Sequence, residues 1–185
     1  MAYFGLIIVA VVLAGAVVLF NRLIARRQMT NNGWADIDVQ LKRRADLIPR
    51  LVRTVEGYAA HERQLFADIA EKRSRALAAG DDAALRGAAE SELSKPVSRL
   101  MALAEGYPDL KANQNFLDLQ NELSDTENKI EMARRFYNGA VRELNTAVES
   151  FPSNIVAGAA GIGKRAYFEI DPAEAAPPRI GGGAP

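Results

Sequence analysis

Two places in this chain hold residue types whose spacing could do chemistry. The first is His61, the one histidine, followed directly by Glu62. An imidazole with carboxylates such as Glu62 and Glu105 could bind zinc and run a metal-dependent hydrolysis. A di-iron bundle instead needs Glu-x-x-His from each of two helices. With a single histidine, and Tyr58 three residues before it, that arrangement is excluded. The plainer expectation is that His61 hydrogen-bonds across a helical bundle, where an imidazole also responds to pH. The second place is Gly158-Ala159-Ala160-Gly161-Ile162-Gly163-Lys164-Arg165, which nearly spells a phosphate-binding loop. That loop requires Ser or Thr after the lysine to hold magnesium, and a strand before the glycines. Here Arg165 takes the hydroxyl position and a helical pattern precedes, so nucleotide binding is not expected. The absence of cysteine removes disulfides, thiolate metal sites and cysteine nucleophiles. No catalytic, cofactor-binding or metal-binding residue is assigned.

The elements that would carry these residues begin with an anchor. Met1 to Phe20 contains no charged side chain, and Arg22, Arg26 and Arg27 follow. At ~1.5 Å per residue such a run spans about 30 Å, the hydrocarbon thickness of a bilayer. A signal peptide would carry its positive charge before the run and small residues at a cleavage site after it. Residues 1–21 therefore read as a retained single-pass membrane helix. Basic residues near a membrane end favour the cytoplasmic side. The expected orientation is N-terminus outside and the remaining chain in the cytoplasm, in the inner membrane of a bacterium. Residues 22–33 form a basic juxtamembrane linker, with Met29 to Gly33 a polar break and hinge. Arg22, Arg26 and Arg27 are placed to meet anionic headgroups. Trp34 either sits at headgroup level or heads the core of the next element. Ala10 and Ala14, four apart, could aid packing within the membrane.

From Trp34 onward the apolar residues recur every three to four positions, the period of an amphipathic helix and not of a strand. One series runs Trp34, Leu41, Ile48, Val55, Glu62, Ile69, Ala76; its companion runs Ile37, Arg44, Leu51, Tyr58, Leu65. Pro49 interrupts the pattern, which predicts a long bent helix or two helices meeting near Leu47–Pro49. Gly80 and Asp81 or Asp82 mark a helix end and the next start. The second helix runs to about Gly106, with its start delayed by Pro96. The third is the most regular: Phe116, Leu123, Ile130, Tyr137, Leu144 and Phe151 are seven residues apart, a narrow seam of the coiled-coil type. Asn113 or Asn115 caps it and Phe151-Pro152 ends it. Mixed charges on this helix, from Glu127 to Glu143, read as a solvated face with i,i+4 pairs or as determinants of an oligomer. Ile155 to Ile170 is apolar with one basic pair and two aromatics, and is expected to dock on the bundle, or else to touch a membrane or a partner. Residues 169–185, rich in Pro, Ala and Gly, read as a disordered tail.

The whole is an all-α chain: one transmembrane helix, then an antiparallel bundle of three to four long helices over residues 34–168. Its 185 residues allow one such domain after the anchor. Lys+Arg and Asp+Glu balance at 23 each, which argues against a nucleic-acid binder. With three helices beyond the anchor the chain end lies away from the membrane. A fourth brings it back, with segment 155–170 facing the bilayer.

Several ordered motifs carry a resemblance. Ile37 to Arg44 leads to Asp46-Leu47-Ile48-Pro49; then come Tyr58 to Glu62, Ala104 to Leu110, Thr126 to Ile130, Ala133 to Asn138 and Glu149 to Asn154. In this order, behind an N-terminal anchor, they resemble the bacterial LemA family, from Met1 to about Phe168. The resemblance implies a single-pass membrane protein with a helical-bundle domain, and one relative that takes part in forming magnetosome membranes. It supplies no catalytic residues. The expected function is a membrane-anchored, homo-oligomeric, non-catalytic scaffold or adaptor, with membrane lipid and a membrane protein as partners. The alternatives are a metal-dependent enzyme using His61 and an accessory subunit of a membrane protease or transporter.

Overall fold

Helix formation begins at once and is not interrupted at the expected hinge. In the computed structural model, which describes residues 2–170, helix α1 runs Ala2–Glu56 without a break. It is followed by α2 (Arg63–Ala78), α3 (Ala83–Glu105), the single turn α4 (Pro108–Lys111), α5 (Gln114–Glu149) and α6 (Ser153–Ala159). Among the described residues there is no strand. Residues 171–185, most of the expected tail, lie outside the described residues.

One expectation about a break is corrected, and at Pro49 the alternative of one long helix holds over two helices meeting there. Met29 to Gly33 is helical, because Gly33 is buried where a Cβ would lie 3.0 Å from the Phe136 ring and 3.1 Å from Tyr137 Cα. Glycine is therefore used here for close helix packing, with no bend. Nor does α1 end at Pro49. A proline at that position has no N–H to give the carbonyl four residues back, Ala45. The Arg73 guanidinium on α2 donates to that same Ala45 oxygen. The lost backbone bond is replaced from a neighbouring helix, so Pro49 is tolerated. The chain turns instead at Gly57 to Glu62, where Ala59 is fully buried and its N–H donates to Val55 O at 2.9 Å.

The start of α3 is not delayed by Pro96. Asp82 caps it, its carboxylate accepting from the N–H groups of Ala84 and Leu85 at 2.9 Å each, as N-cap geometry favours. Gly80, at φ 66°, terminates the preceding helix in the left-handed conformation. Asn113 caps α5, accepting from Phe116 N–H at 3.2 Å.

The chain divides into two compact units: Met1–Ile37 with Met132–Tyr167, and Asp38–Glu131 with Phe168–Pro185. In the first, α1 and α5 run antiparallel. Arg26 donates to Glu143 O, and seven residues further along α1 Gly33 meets Phe136, seven residues back along α5. Leu23 is buried there among Leu144, Ala147, Ala157 and Ile162. In the second, the core joins Ile48 and Leu51 of α1, Ile69 of α2, Leu93 and Leu100 of α3, and Phe116 and Leu123 of α5.

Candidate functional site

Histidine chemistry is the first expectation the geometry weighs. His61 lies in the turn after α1 with its side chain 71% exposed. Its Nε2 is 3.4 Å from the Tyr107 hydroxyl and 3.7 Å from Glu62 Oε1. The hydrogen bond across the bundle is therefore present. Among the described residues no group of three or more His, Asp or Glu is arranged to hold a metal ion. The lysine of the near-miss phosphate loop is also committed elsewhere: Lys164 pairs with Glu149. Arg165 exchanges backbone hydrogen bonds with the Asn145 amide at 2.9 and 3.0 Å, and its guanidinium donates to Asn31 Oδ1 at 3.2 Å. These contacts dock the 162–167 segment on its own unit, the first of the placements expected for it.

The densest polar site is one the sequence reading did not assemble. Arg44 of α1 and Glu90 of α3, with side chains only 2% and 1% exposed, meet at 3.3 Å in the second unit. Arg86 Nε donates to the other Glu90 oxygen at 3.0 Å. Arg44 Nη2 donates to Ser94 Oγ at 2.7 Å, and that hydroxyl donates to Glu90 O at 3.0 Å. Glu127 of α5 completes the group, 2.9 Å from Arg44 Nε in an ion pair without hydrogen-bond alignment. Arg86 Nη2 is buried without a hydrogen-bond partner among the described residues. Two buried guanidiniums thus share one buried carboxylate, with Glu127, its side chain 43% exposed, supplying the second from the rim. Burial pushes the Glu90 carboxyl above its ordinary 4.5, against the pull of Arg44 and Arg86. The one signal for this site in the sequence is Arg44, a charge at a seam position between Ile37 and Leu51. Glu127, read as part of a solvated face, keeps 43% of its side chain exposed while pairing with that same arginine. The set contains no nucleophile and no metal-ligand pattern; what it can do is fix α1, α3 and α5 in one register.

The heptad positions of α5 are covered, with one exception. Phe116, Leu123, Ile130, Tyr137 and Leu144 are buried within the chain itself. Phe151 is the exception. It lies past the end of α5 and is 80% exposed, so the sixth heptad position is no seam position. Trp34, of its two expected placements, packs in the seam: its ring lies 5.5 Å from that of Tyr137, tilted by 54°. Arg22, Arg26 and Arg27 are all exposed on α1 just past the apolar run. The stretch of α1 that starts at Tyr3 is long and apolar enough to cross a membrane, and none of that window is buried.

Comparison with known proteins follows this geometry. The model of the LemA family matches residues 33–181, leaving the apolar N-terminal run outside the match and extending beyond the Phe168 limit of the motif resemblance. The magnetosome protein MamQ 2 of Paramagnetospirillum magneticum is 23% identical over 179 residues, covering 83% of this chain and 66% of its own. Magnetosome protein MamQ of Magnetospirillum gryphiswaldense is 22% identical over the same length. Protein LemA of Metamycoplasma hominis is 26% identical over 137 residues, covering 74% of this chain and 63% of its own. The chain thus spans just under two thirds of the length of these relatives.

Proposed function

The chain belongs to the LemA family, and from that premise we propose that it is a membrane-anchored, non-catalytic helical scaffold that organises the bilayer or recruits proteins to it. One observation carries this reading. The exposed apolar stretch and the first long helix of the bundle are a single helix, Ala2–Glu56. The chain thus passes from the apolar stretch into the residues that follow as continuous helix, with no flexible linker between. The magnetosome names of the MamQ relatives fit a role at membranes. Arg22, Arg26 and Arg27 favour an N-terminus outside and a bundle in the cytoplasm of a bacterium. Self-association is part of the proposal. Because the α5 seam is occupied within the chain, it uses other faces, such as exposed Met132 and Phe136 on α5.

The test is crosslinking in native membranes followed by mass spectrometry, with mass measurement of the purified chain in nanodiscs. Self-crosslinks and recurrent membrane neighbours are the expected result. A clean monomer without any neighbour sinks the scaffold. A single stoichiometric protease or transporter partner converts it into an accessory subunit.

A further inference from the structure

We infer that the corner between α5 and α6 is a second membrane contact, with Phe151 and Ile155 seated in the bilayer interface beside the exit point of α1. This rests on the reading of α1 as a membrane anchor, and the experiment below separates the two.

Register places the corner. Within the first unit Arg26 pairs with Glu143 and Gly33 with Phe136, each step of seven along α1 matched by seven back along α5. One further step sets Leu19 beside Ser150, at the end of the apolar run. Burial agrees. Between Tyr3 and Met29 only Ala16, Leu19 and Leu23 are partly or wholly covered, and their spacing places them on one helical face. Leu23 is covered by residues of α5, α6 and the coil after it. Protein therefore lies against α1 at the level of its apolar residues.

Composition says what surrounds that protein. From Ser150 to Gly163 no residue carries a charge, and Lys164 and Arg165 follow, as Arg22, Arg26 and Arg27 follow the anchor. The outward side chains include two large apolar ones, Phe151 at 80% and Ile155 at 63% exposure. Two bulky hydrophobes left in water beside a membrane helix are placed at the depth where an interfacial element buries its apolar face, about 5–10 Å into the headgroup and acyl boundary. The flanking charges are already engaged, Lys164 with Glu149 and Arg165 with Asn31, so the apolar side chains carry the contact. A bilayer is the one surface that the anchor itself already guarantees at this level.

The absence of cysteine makes the test direct. Single variants Phe151→Cys, Ile155→Cys, Leu13→Cys and Leu85→Cys of the full chain are labelled with an environment-sensitive fluorophore in phosphatidylethanolamine–phosphatidylglycerol nanodiscs. Leu13 reports the anchor and exposed Leu85 reports water. The expected result is blue-shifted emission at 151 and 155, quenched by lipids carrying a nitroxide near the headgroup, with 13 quenched by deep nitroxides and 85 by neither. Water-like emission at 151 and 155 with 13 still quenched overturns the second contact and leaves the anchor standing. A blue shift at 151 and 155 that lipid nitroxides do not quench means that protein covers the corner, and also overturns it. Loss of quenching at 13 removes the anchor reading and this inference with it.

Discussion

Glu90 and Glu92 stand two residues apart on α3, and their carboxyls are driven in opposite directions. Burial raises Glu90 above its ordinary 4.5, while hydrogen bonds from Lys72 and Lys95 lower exposed Glu92 to about 2. A raised folded-state value gives stability that is full below 4.5 and lost as pH rises through the raised value. A lowered one gives stability that is present above 4.5 and lost as pH falls towards about 2. Urea unfolding on both sides of pH 4.5 should therefore show Glu90→Gln flattening the loss on the alkaline side. Glu92→Gln should flatten the loss on the acid side, and added salt should erase most of that exposed effect. At neutral pH Glu90→Ala should cost about 3–5 kcal/mol, because it leaves two buried guanidiniums without their shared acceptor. Replacing Arg44, Arg86 and Glu90 together by apolar residues of similar volume should cost far less, by the same desolvation argument. Arg44 was legible as a misfit in the seam. Its partners were not, since Glu90 lies on a different helix and nothing in its local spacing marks it as buried.

Among the elements, α1 shows how a rule of local sequence is overridden. Proline inside a helix costs about 3 kcal/mol when nothing compensates. Here Arg73 takes the carbonyl that Pro49 leaves without a donor. The two residues should be coupled: Arg73→Ala should lose about 1.5–3 kcal/mol in the natural background, the value of a hydrogen bond from a charged group. It should lose distinctly less when Pro49→Ala restores the backbone N–H. A double-mutant cycle by urea denaturation measures the difference, and additivity would refute the pairing. On α3, Gly87→Ala should gain about 1 kcal/mol from helix propensity alone. A Cβ there would collide with the Glu169 carbonyl, so the added methyl should lift the 168–170 segment off the helix instead. Faster amide hydrogen exchange in that segment without a gain in stability is the expected signature. The end of α5 was legible because Pro152 opposes continuation of the helix, although the heptad spacing itself runs on to Phe151. The turn at Gly57 was not, because the apolar period runs through it to Glu62 and beyond.

For the molecule as a whole, attachment to the bilayer should resolve into two strengths. The intact chain should stay in the membrane pellet through carbonate and high-salt washes, as an apolar helix of this length does. A variant lacking residues 1–21 should keep its helical circular dichroism and be released by salt. The remaining contacts then are the Arg22, Arg26 and Arg27 collar and the Phe151 corner, held by screened charge and a few apolar side chains. Retention through both washes would mean that another part of the chain inserts. The sequence by itself determined the long apolar N-terminal helix, the all-helical class, the inward heptad positions of α5 and most helix ends. These follow from composition, period and caps, which act over a few residues along the chain. Tertiary structure alone decided that α1 runs unbroken past Gly33 and Pro49, that Arg44 finds Glu90, and that Phe151 is left exposed. Each of those depends on a group from a distant segment, Phe136 over Gly33 or Arg73 at Ala45. A carbonyl with no donor or a guanidinium in a core is tolerated only where folding brings its partner into contact.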